Sequence, residues 1–144
     1  MGIHCETRKC TGCGVCAVAC IDEKDQQSPL LRHIDLKERM ESGELHLVFN
    51  SHSCFHCVTT RCAAVCPTGS IIRDTETGIV LHDNAPCIGC GKCADACPFG
   101  AIFFDTNGII QKCDGCIDRV RHGFRPVCVE ACPQQALEWE PNSR

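Results

Sequence analysis

Apolar residues in this chain come in short runs separated by glycine, proline and charge. Ile71-Ile72-Arg73 and Ile79-Val80-Leu81 flank Asp74-Thr75-Glu76-Thr77-Gly78, which predicts a β-hairpin. Ile102-Phe103-Phe104 and Ile109-Ile110 flank Asp105-Thr106-Asn107-Gly108, which predicts a second. Leu45-His46-Leu47-Val48-Phe49 reads as a strand, as does Ala136-Leu137-Glu138-Trp139, and Cys5 lies on an expected first strand. Ile117 to His122 predicts a short helix stopped by Gly123, and helical turns are expected before Cys20, Cys66 and Cys97. Asp22 to Gly43 is charged and reads as a connector, with a turn at Ser28-Pro29 and a strand near Leu31 to Asp35. No run approaches the length of a membrane span, so direct membrane insertion is not expected.

Cysteine sets the rhythm of these runs. The chain has 144 residues and 17 cysteines. All but Cys5 fall into four quartets: Cys10, Cys13, Cys16, Cys20; Cys54, Cys57, Cys62, Cys66; Cys87, Cys90, Cys93, Cys97; and Cys113, Cys116, Cys128, Cys132. Three quartets end in matching tails that run into strands: Cys66-Pro67-Thr68-Gly69-Ser70-Ile71, Cys97-Pro98-Phe99-Gly100-Ala101-Ile102 and Cys132-Pro133-Gln134-Gln135-Ala136-Leu137.

The spacing points to iron–sulfur cubes. A C-x-x-C-x-x-C run curls around one face of a cube, so that each thiolate reaches a different iron and backbone N–H groups face the sulfides. The fourth cysteine follows after three intervening residues, faces away from that curl and reaches the cube of another quartet. Gly12, Gly14, Gly89 and Gly91 let backbone pass close to a cluster. Four thiolates hold one cube, so sixteen make four [4Fe–4S] clusters with none left over. Zinc favours ligands in separated pairs, and here three ligands crowd into seven residues. A disulfide framework is the remaining alternative.

Composition and charge sharpen this reading. Six Phe, one Trp and no Tyr leave large core fillers scarce, so clusters are expected to occupy that space and the fold to depend on its metal. The formal charge is −4. Each oxidised cube with its thiolates adds roughly −2, which takes the chain to about −12 and disfavours nucleic acid and anionic membrane as partners. Met1-Gly2-Ile3-His4-Cys5 opens with neither an apolar signal stretch nor a twin-arginine pair. The expected compartment is the cytoplasm, with periplasmic export on a partner as the other route.

These residues resemble a known family, the four-cluster iron–sulfur electron-transfer subunits of molybdenum and tungsten oxidoreductases. Dimethyl sulfoxide reductase and formate dehydrogenase carry subunits of this type, and similar short chains serve hydrogenases, CO dehydrogenases and tungsten aldehyde oxidoreductases. The resemblance is carried by Cys10-Thr11-Gly12-Cys13-Gly14-Val15-Cys16, Cys54-Phe55-His56-Cys57, Lys112-Cys113-Asp114-Gly115-Cys116 and the eleven-residue gap between Cys116 and Cys128. The short connectors, and the absence of a long C-terminal extension, depart from larger members.

The resemblance implies four ligand sets: Cys10/Cys13/Cys16/Cys132, Cys20/Cys113/Cys116/Cys128, Cys54/Cys57/Cys62/Cys97 and Cys66/Cys87/Cys90/Cys93. It implies an α+β fold of two bacterial two-cluster ferredoxin-like units, with short β-hairpins and short helices around four clusters. Residues 1–44 and 106–144 would form an outer unit and residues 45–105 an inserted inner one. The four cubes would then stand in a line along which electrons hop.

Other residues carry two readings each. Cys5 is a small buried hydrophobe or a reactive thiol. His56 is expected to be a loop residue or a hydrogen-bond donor near a cube, not a ligand, and Trp139 to be core. Lys9, Arg61, Lys92 and Lys112 are cations that raise a nearby potential or solvated surface charges. Arg119, Arg121, His122 and Arg125 form a docking patch for an acidic partner or a solvated helix face. No catalytic or phosphate-binding motif stands out, and a cube saturated by four thiolates offers no open site.

The leading expectation is a non-catalytic electron-transfer subunit serving a catalytic subunit. A molybdenum- or tungsten-pterin enzyme is the first choice of partner, with a hydrogenase or CO dehydrogenase as the other candidates. The alternatives are a free polyferredoxin, self-association into a conducting filament and, from another class, a zinc-binding assembly module.

Overall fold

The structure, a computed structural model, describes residues 2–25 and 29–140. Its elements are short because glycine and proline interrupt the chain at close intervals. In chain order they are β1 (Gly2–Cys5), α1 (Val15–Lys24), β2 (His33–Glu41), β3 (Glu44–His52), α2 (Arg61–Ala64), β4 (Ile71–Arg73), β5 (Val80–His82), α3 (Lys92–Asp95), β6 (Phe103–Phe104), β7 (Ile110–Gln111), α4 (Ile117–Arg121), α5 (Val127–Glu130) and β8 (Leu137–Glu140). The described strands pair antiparallel as β1–β8, β2–β3, β4–β5 and β6–β7, giving a small α+β fold.

The cysteine repeat extends to backbone angles. In every quartet the residue before the second cysteine is left-handed: Gly12 (φ 71°), His56 (φ 48°), Gly89 (φ 65°) and Gly115 (φ 63°). This conformation curls the loop back on itself, and only glycine adopts it freely. His56 holds it with a side chain, which is uncommon outside glycine but more frequent for His, Asn and Asp. The three tails repeat as well. Gly69, Gly100 and Gln135, each three residues after the last cysteine of a quartet, have φ of 66°, 58° and 49°.

Two small apolar cores follow from the pairing of these repeats. The first joins the two ends of the chain. Ile3 of β1 faces Trp139 of β8, Cys5 faces Leu137, and α1 packs against α5. Ile3, Cys16, Cys128, Val129 and Leu137 are its buried members, and the half-buried Trp139 rests against them. The second core is more local. Ile71, Val80, Cys93, Ile102 and Ile110 are buried together, from the hairpins β4–β5 and β6–β7 and the helix α3. Cysteines thus fill core positions in both, in a chain short of aromatics.

Two elements are longer than the sequence implies. The turn expected before Cys20 is a ten-residue helix that runs on to Lys24. Its last turn is fixed by partners distant in sequence: Lys24 Nζ lies 2.7 Å from Asp114 Oδ2, and Glu23 lies 3.5 Å from Arg119. The connector after it is mostly hairpin, since β2 and β3 pair over nine residues each, from His33↔His52 to Glu41↔Glu44. Near its base Phe49 lies on Gly12, where an added Cβ would come within 2.4 Å of the ring. Leu36, opposite Phe49, is exposed, and so are Leu47, Leu45 and Met40 towards the far end. The turn expected at Ser28-Pro29 lies partly outside the described residues. The chain divisions at 44/45 and 105/106 fall in or beside the turns of β2–β3 and β6–β7, and Ile110 packs in the second core. No described helix is long and apolar enough to cross a membrane.

Candidate metal centres

The fold gathers cysteines from different quartets. Cys10, Cys13, Cys16 and Cys132 line one cavity between the first loop and the tail before β8. Cys54, Cys57, Cys62 and Cys97 line a larger one of about 290 Å³, walled by Phe55, Phe99 and Lys112. Cys66, Cys87, Cys90 and Cys93 line a third. Cys20 is surrounded by Cys113, Cys128 and Cys116, whose charges act on it directly. Among the described residues no three His, Cys, Asp or Glu side chains converge closely enough to hold a single metal ion. In three of the four groups the thiols stand around a space, as ligands of a polyatomic cluster do, and sulfur-only donor sets suit iron–sulfur chemistry.

Local structure prepares the sulfurs. Gly115 N–H donates to Cys113 Sγ at 3.3 Å, Ala101 N–H to Cys97 Sγ at 3.5 Å, and Ala136 N–H to Cys132 Sγ at 3.3 Å. The last two come from the repeated left-handed tails, so one backbone device serves two quartets. Such bonds to sulfur raise cluster potentials.

The sites differ in burial. Cys16, Cys20, Cys113, Cys116 and Cys128 are all buried, whereas Cys13 and Cys90 are exposed. Burial, with the charges of Cys113, Cys128 and Cys116, pushes the Cys20 thiol up to about 12. Burial likewise pushes Cys128 to about 12, against the pull of Arg32. Such thiols become thiolates only when a cation takes the proton's place. Cys66 is the opposite case. Burial raises it, but the combined hydrogen bonds of Thr68 and Ser70 outweigh this and hold it down at about 7.

Two cations are buried among the cysteines. Lys112, next to a quartet cysteine in sequence, is 7% exposed, so of its two readings the solvated one does not hold. Its ammonium donates to the carbonyls of Val80 and Cys113 and pulls on the thiols of Cys54 and Cys62. Lys9, Arg61 and Lys92 are exposed. The second cation, Arg32, is 2% exposed and was not legible in the sequence. Its guanidinium donates to Ser51 Oγ (3.0 Å) and Ser53 Oγ (2.8 Å), and Ser51 Oγ shares a 3.2 Å hydrogen bond with Cys16 Sγ. Nothing near Leu31-Arg32-His33 marks this arginine, because its burial arises only when the β2–β3 hairpin closes over the outer cysteines.

The remaining residues resolve as follows. His56 is 1% exposed, and its Nδ1 accepts the Val80 N–H at 3.1 Å. Burial and the charge of Lys112 hold its imidazole neutral, well below the ordinary histidine range. Cys5 Sγ accepts the Ser51 N–H at 3.4 Å, and burial pushes this thiol up to about 11, which opposes the reactive-thiol reading. Arg119 and Arg121 are used within the chain. Arg119 pairs with Glu23 and Glu130, and Arg121 lies 2.8 Å from Asp74.

Sulfur quartets wrapped by short hairpins in a small α+β fold define a ferredoxin-like iron–sulfur protein. Residues 45–141 and residues 9–70 each match a 4Fe–4S dicluster domain family. One subunit of the anaerobic dimethyl sulfoxide reductase of Escherichia coli is 40% identical over 152 residues, covering 97% of this chain and 73% of that protein. Its counterpart in Haemophilus influenzae is 37% identical over 151 residues, with the same coverage. Thiosulfate reductase electron transfer subunit PhsB of Salmonella typhi is 38% identical over 139 residues, covering 93% of this chain and 72% of the relative. The chain belongs to this family of 4Fe–4S electron-transfer subunits; it carries electrons and is not itself a catalyst.

Proposed function

We propose that this chain holds four [4Fe–4S] clusters and passes electrons between a catalytic reductase subunit and a further redox partner. The observation that carries the reading is the grouping of thiols, around cavities in three of the sets and within reach of one another's charge in the fourth. Each proposed ligand set draws its fourth cysteine, or its other three, from a different quartet. The sets are Cys10/Cys13/Cys16/Cys132, Cys20/Cys113/Cys116/Cys128, Cys54/Cys57/Cys62/Cys97 and Cys66/Cys87/Cys90/Cys93. When bound, such clusters supply reversible one-electron transfer. The protein's part is to hold them, exclude water from the buried ones and set their potentials.

The order of the sites supports a single file. The charge of Cys16 acts on Cys128, linking the first and second sets. The charge of Cys113 acts on Cys54, linking the second and third. Cys62 and Cys97 share a core with Cys87 and Cys93, which links the third and fourth. On this reading residues 1–44 with 106–144 act as an outer unit and residues 45–105 as an inner one, joined end to end.

The named relatives belong to dimethyl sulfoxide and thiosulfate reductases. They favour an oxyanion or oxide reductase with a molybdenum- or tungsten-pterin subunit as the partner, working in the cytoplasm or exported with this chain. The test is anaerobic copurification with metal analysis. About 16 irons per chain, with molybdenum or tungsten in a companion subunit, is the expected result. Zinc in place of iron, or about 8 irons per chain, would overturn the four-cluster reading.

A further inference from the structure

We propose that Arg32 is a potential-setting residue: a fixed buried cation between the two outer sites that keeps both of them easier to reduce. The inference rests on the four-cluster reading above and deepens it. Three observations carry it.

First, the guanidinium is 2% exposed. A buried charge is costly unless it meets opposite charge. The groups it touches on and just after β3, Ser51 Oγ and Ser53 Oγ, are neutral hydroxyls. The opposite charge comes from sulfur. Burial opposes its charge, and Cys128, Cys113, Cys16 and Cys20 are the groups whose charge acts on it most. Those four cysteines belong to both outer ligand sets, so the cation faces the gap between two sites. Second, Ser51 links the guanidinium to a ligand. It accepts from Arg32 at 3.0 Å and shares a 3.2 Å hydrogen bond with Cys16 Sγ. Arginine's planar fork occupies Ser51 and Ser53 at once, which fixes its position. Third, the electrostatics have a definite sign. Each site carries about −2 when oxidised and about −3 after taking one electron, with no proton needed for balance. A fixed cation stabilises the more negative form more strongly, and a dry surrounding enlarges the effect.

Arg32 therefore acts on the clusters through space and through Ser51. The test uses the full chain, prepared anaerobically with its iron, titrated with dithionite and read by electron paramagnetic resonance. Arg32→Met is expected to lower the potentials of two of the four clusters by at least tenfold in the reduction equilibrium, which is 59 mV for a one-electron couple. The other two stay where they were. Arg32→Lys keeps the charge and is expected to retain most of the wild-type potentials. Ser51→Ala is expected to shift one outer cluster by less than Arg32→Met does.

Unchanged potentials in an iron-replete Arg32→Met chain would overturn the proposal, and so would an equal shift of all four. If Arg32→Met fails to load its outer clusters, Arg32→Lys decides. Full loading with near-native potentials supports the charge role; loss as severe as in the Met variant shows that only packing matters and overturns it. A wild-type chain with too little iron for four clusters fails the underlying reading instead, before any variant is compared.

Discussion

The two halves of the molecule solve the same chemical problem with different amounts of chain. The proposed inner sites are built locally: their cysteines run from Cys54 to Cys97, and two short hairpins with α3 supply their core. The outer sites need both ends of the sequence, because β1 pairs with β8 and α1 packs on α5. The outer cysteines are also the more deeply buried, and burial drives Cys20 and Cys128 to about 12, whereas Cys66 in the inner half sits at about 7. Long-range closure creates a dry site that favours protonated thiols in the absence of metal. Burial raises Cys54, Cys62 and Cys93 of the inner half as well, so what sets the locally closed half apart is its one low thiol, Cys66.

Removing the iron should break the comparison altogether. With cysteines at core positions in both halves, chelation under mildly oxidising conditions is expected to abolish most cooperative structure, read by circular dichroism. A result in which the fold survives intact without iron would contradict the dependence of both cores on metal.

Leu137→Ala should separate the halves. Leu137 is buried in the outer core opposite Cys5, and truncating such a side chain costs about 2–5 kcal/mol. The outer clusters should then be lost at lower denaturant than the inner ones, with roughly half the iron released first. Simultaneous loss of all the iron would show that the two proposed units unfold as one.

The glycine loops give a finer contrast. An added Cβ at Gly89 would meet the Gly108 carbonyl oxygen at 2.5 Å, while at Gly12 it would meet the Phe49 ring. A ring can rotate or shift and a backbone carbonyl cannot. Both variants also carry the left-handed penalty of roughly 1–2 kcal/mol. Gly89→Ala should therefore lower cluster retention on heating more than Gly12→Ala does, and Gly12→Ala should disturb the β2–β3 hairpin, seen as faster hydrogen exchange there.

Asp74 offers the smallest effect. Hydrogen bonds from the Thr77 backbone N–H and hydroxyl, and then the nearby Arg121, hold its carboxyl down at about 2 from an ordinary 3.8. A depressed carboxylate stabilises the fold above the unfolded value and loses that contribution as pH falls from about 4 towards 2. Asp74→Asn should thus speed amide exchange at Thr77 to a similar degree at pH 8 and pH 5.5. A difference that vanished by pH 5.5 would place the carboxyl's titration elsewhere.

Much of this was legible in the sequence because the repeat states it. The hairpins β4–β5 and β6–β7 are flanked by turn residues whose side chains make the turns: Asp74 caps Thr77, and Asp105 accepts from the Asn107 and Ile109 amides. What escaped depends on partners far away in the chain. Helix α1 runs beyond Cys20 because Asp114 and Arg119 meet its last turn. The sequence marked strands at residues 45–49 and near residues 31–35 but not their nine-residue pairing as β2–β3, because most of that hairpin covers no core and its alternation is muted. Arg32 resembled a surface residue until that hairpin folded across the outer cysteines. The arginines of α4 suggested a patch free for a partner, yet Arg119 is paired with Glu23 and Glu130, and the exposed Arg121 with Asp74, within the chain.

Pairing β1 with β8 also imposes a timetable. A ribosome delivers the inner cysteines as one continuous segment, so that half can begin to fold while later residues are still being added. Cys10, Cys13, Cys16 and Cys20 emerge first and must wait for α5 and β8, the last elements of the described chain, before their surroundings close. During synthesis the earliest thiols are the longest exposed, and a cell making this protein has reason to keep oxygen and stray metals away from them until translation ends.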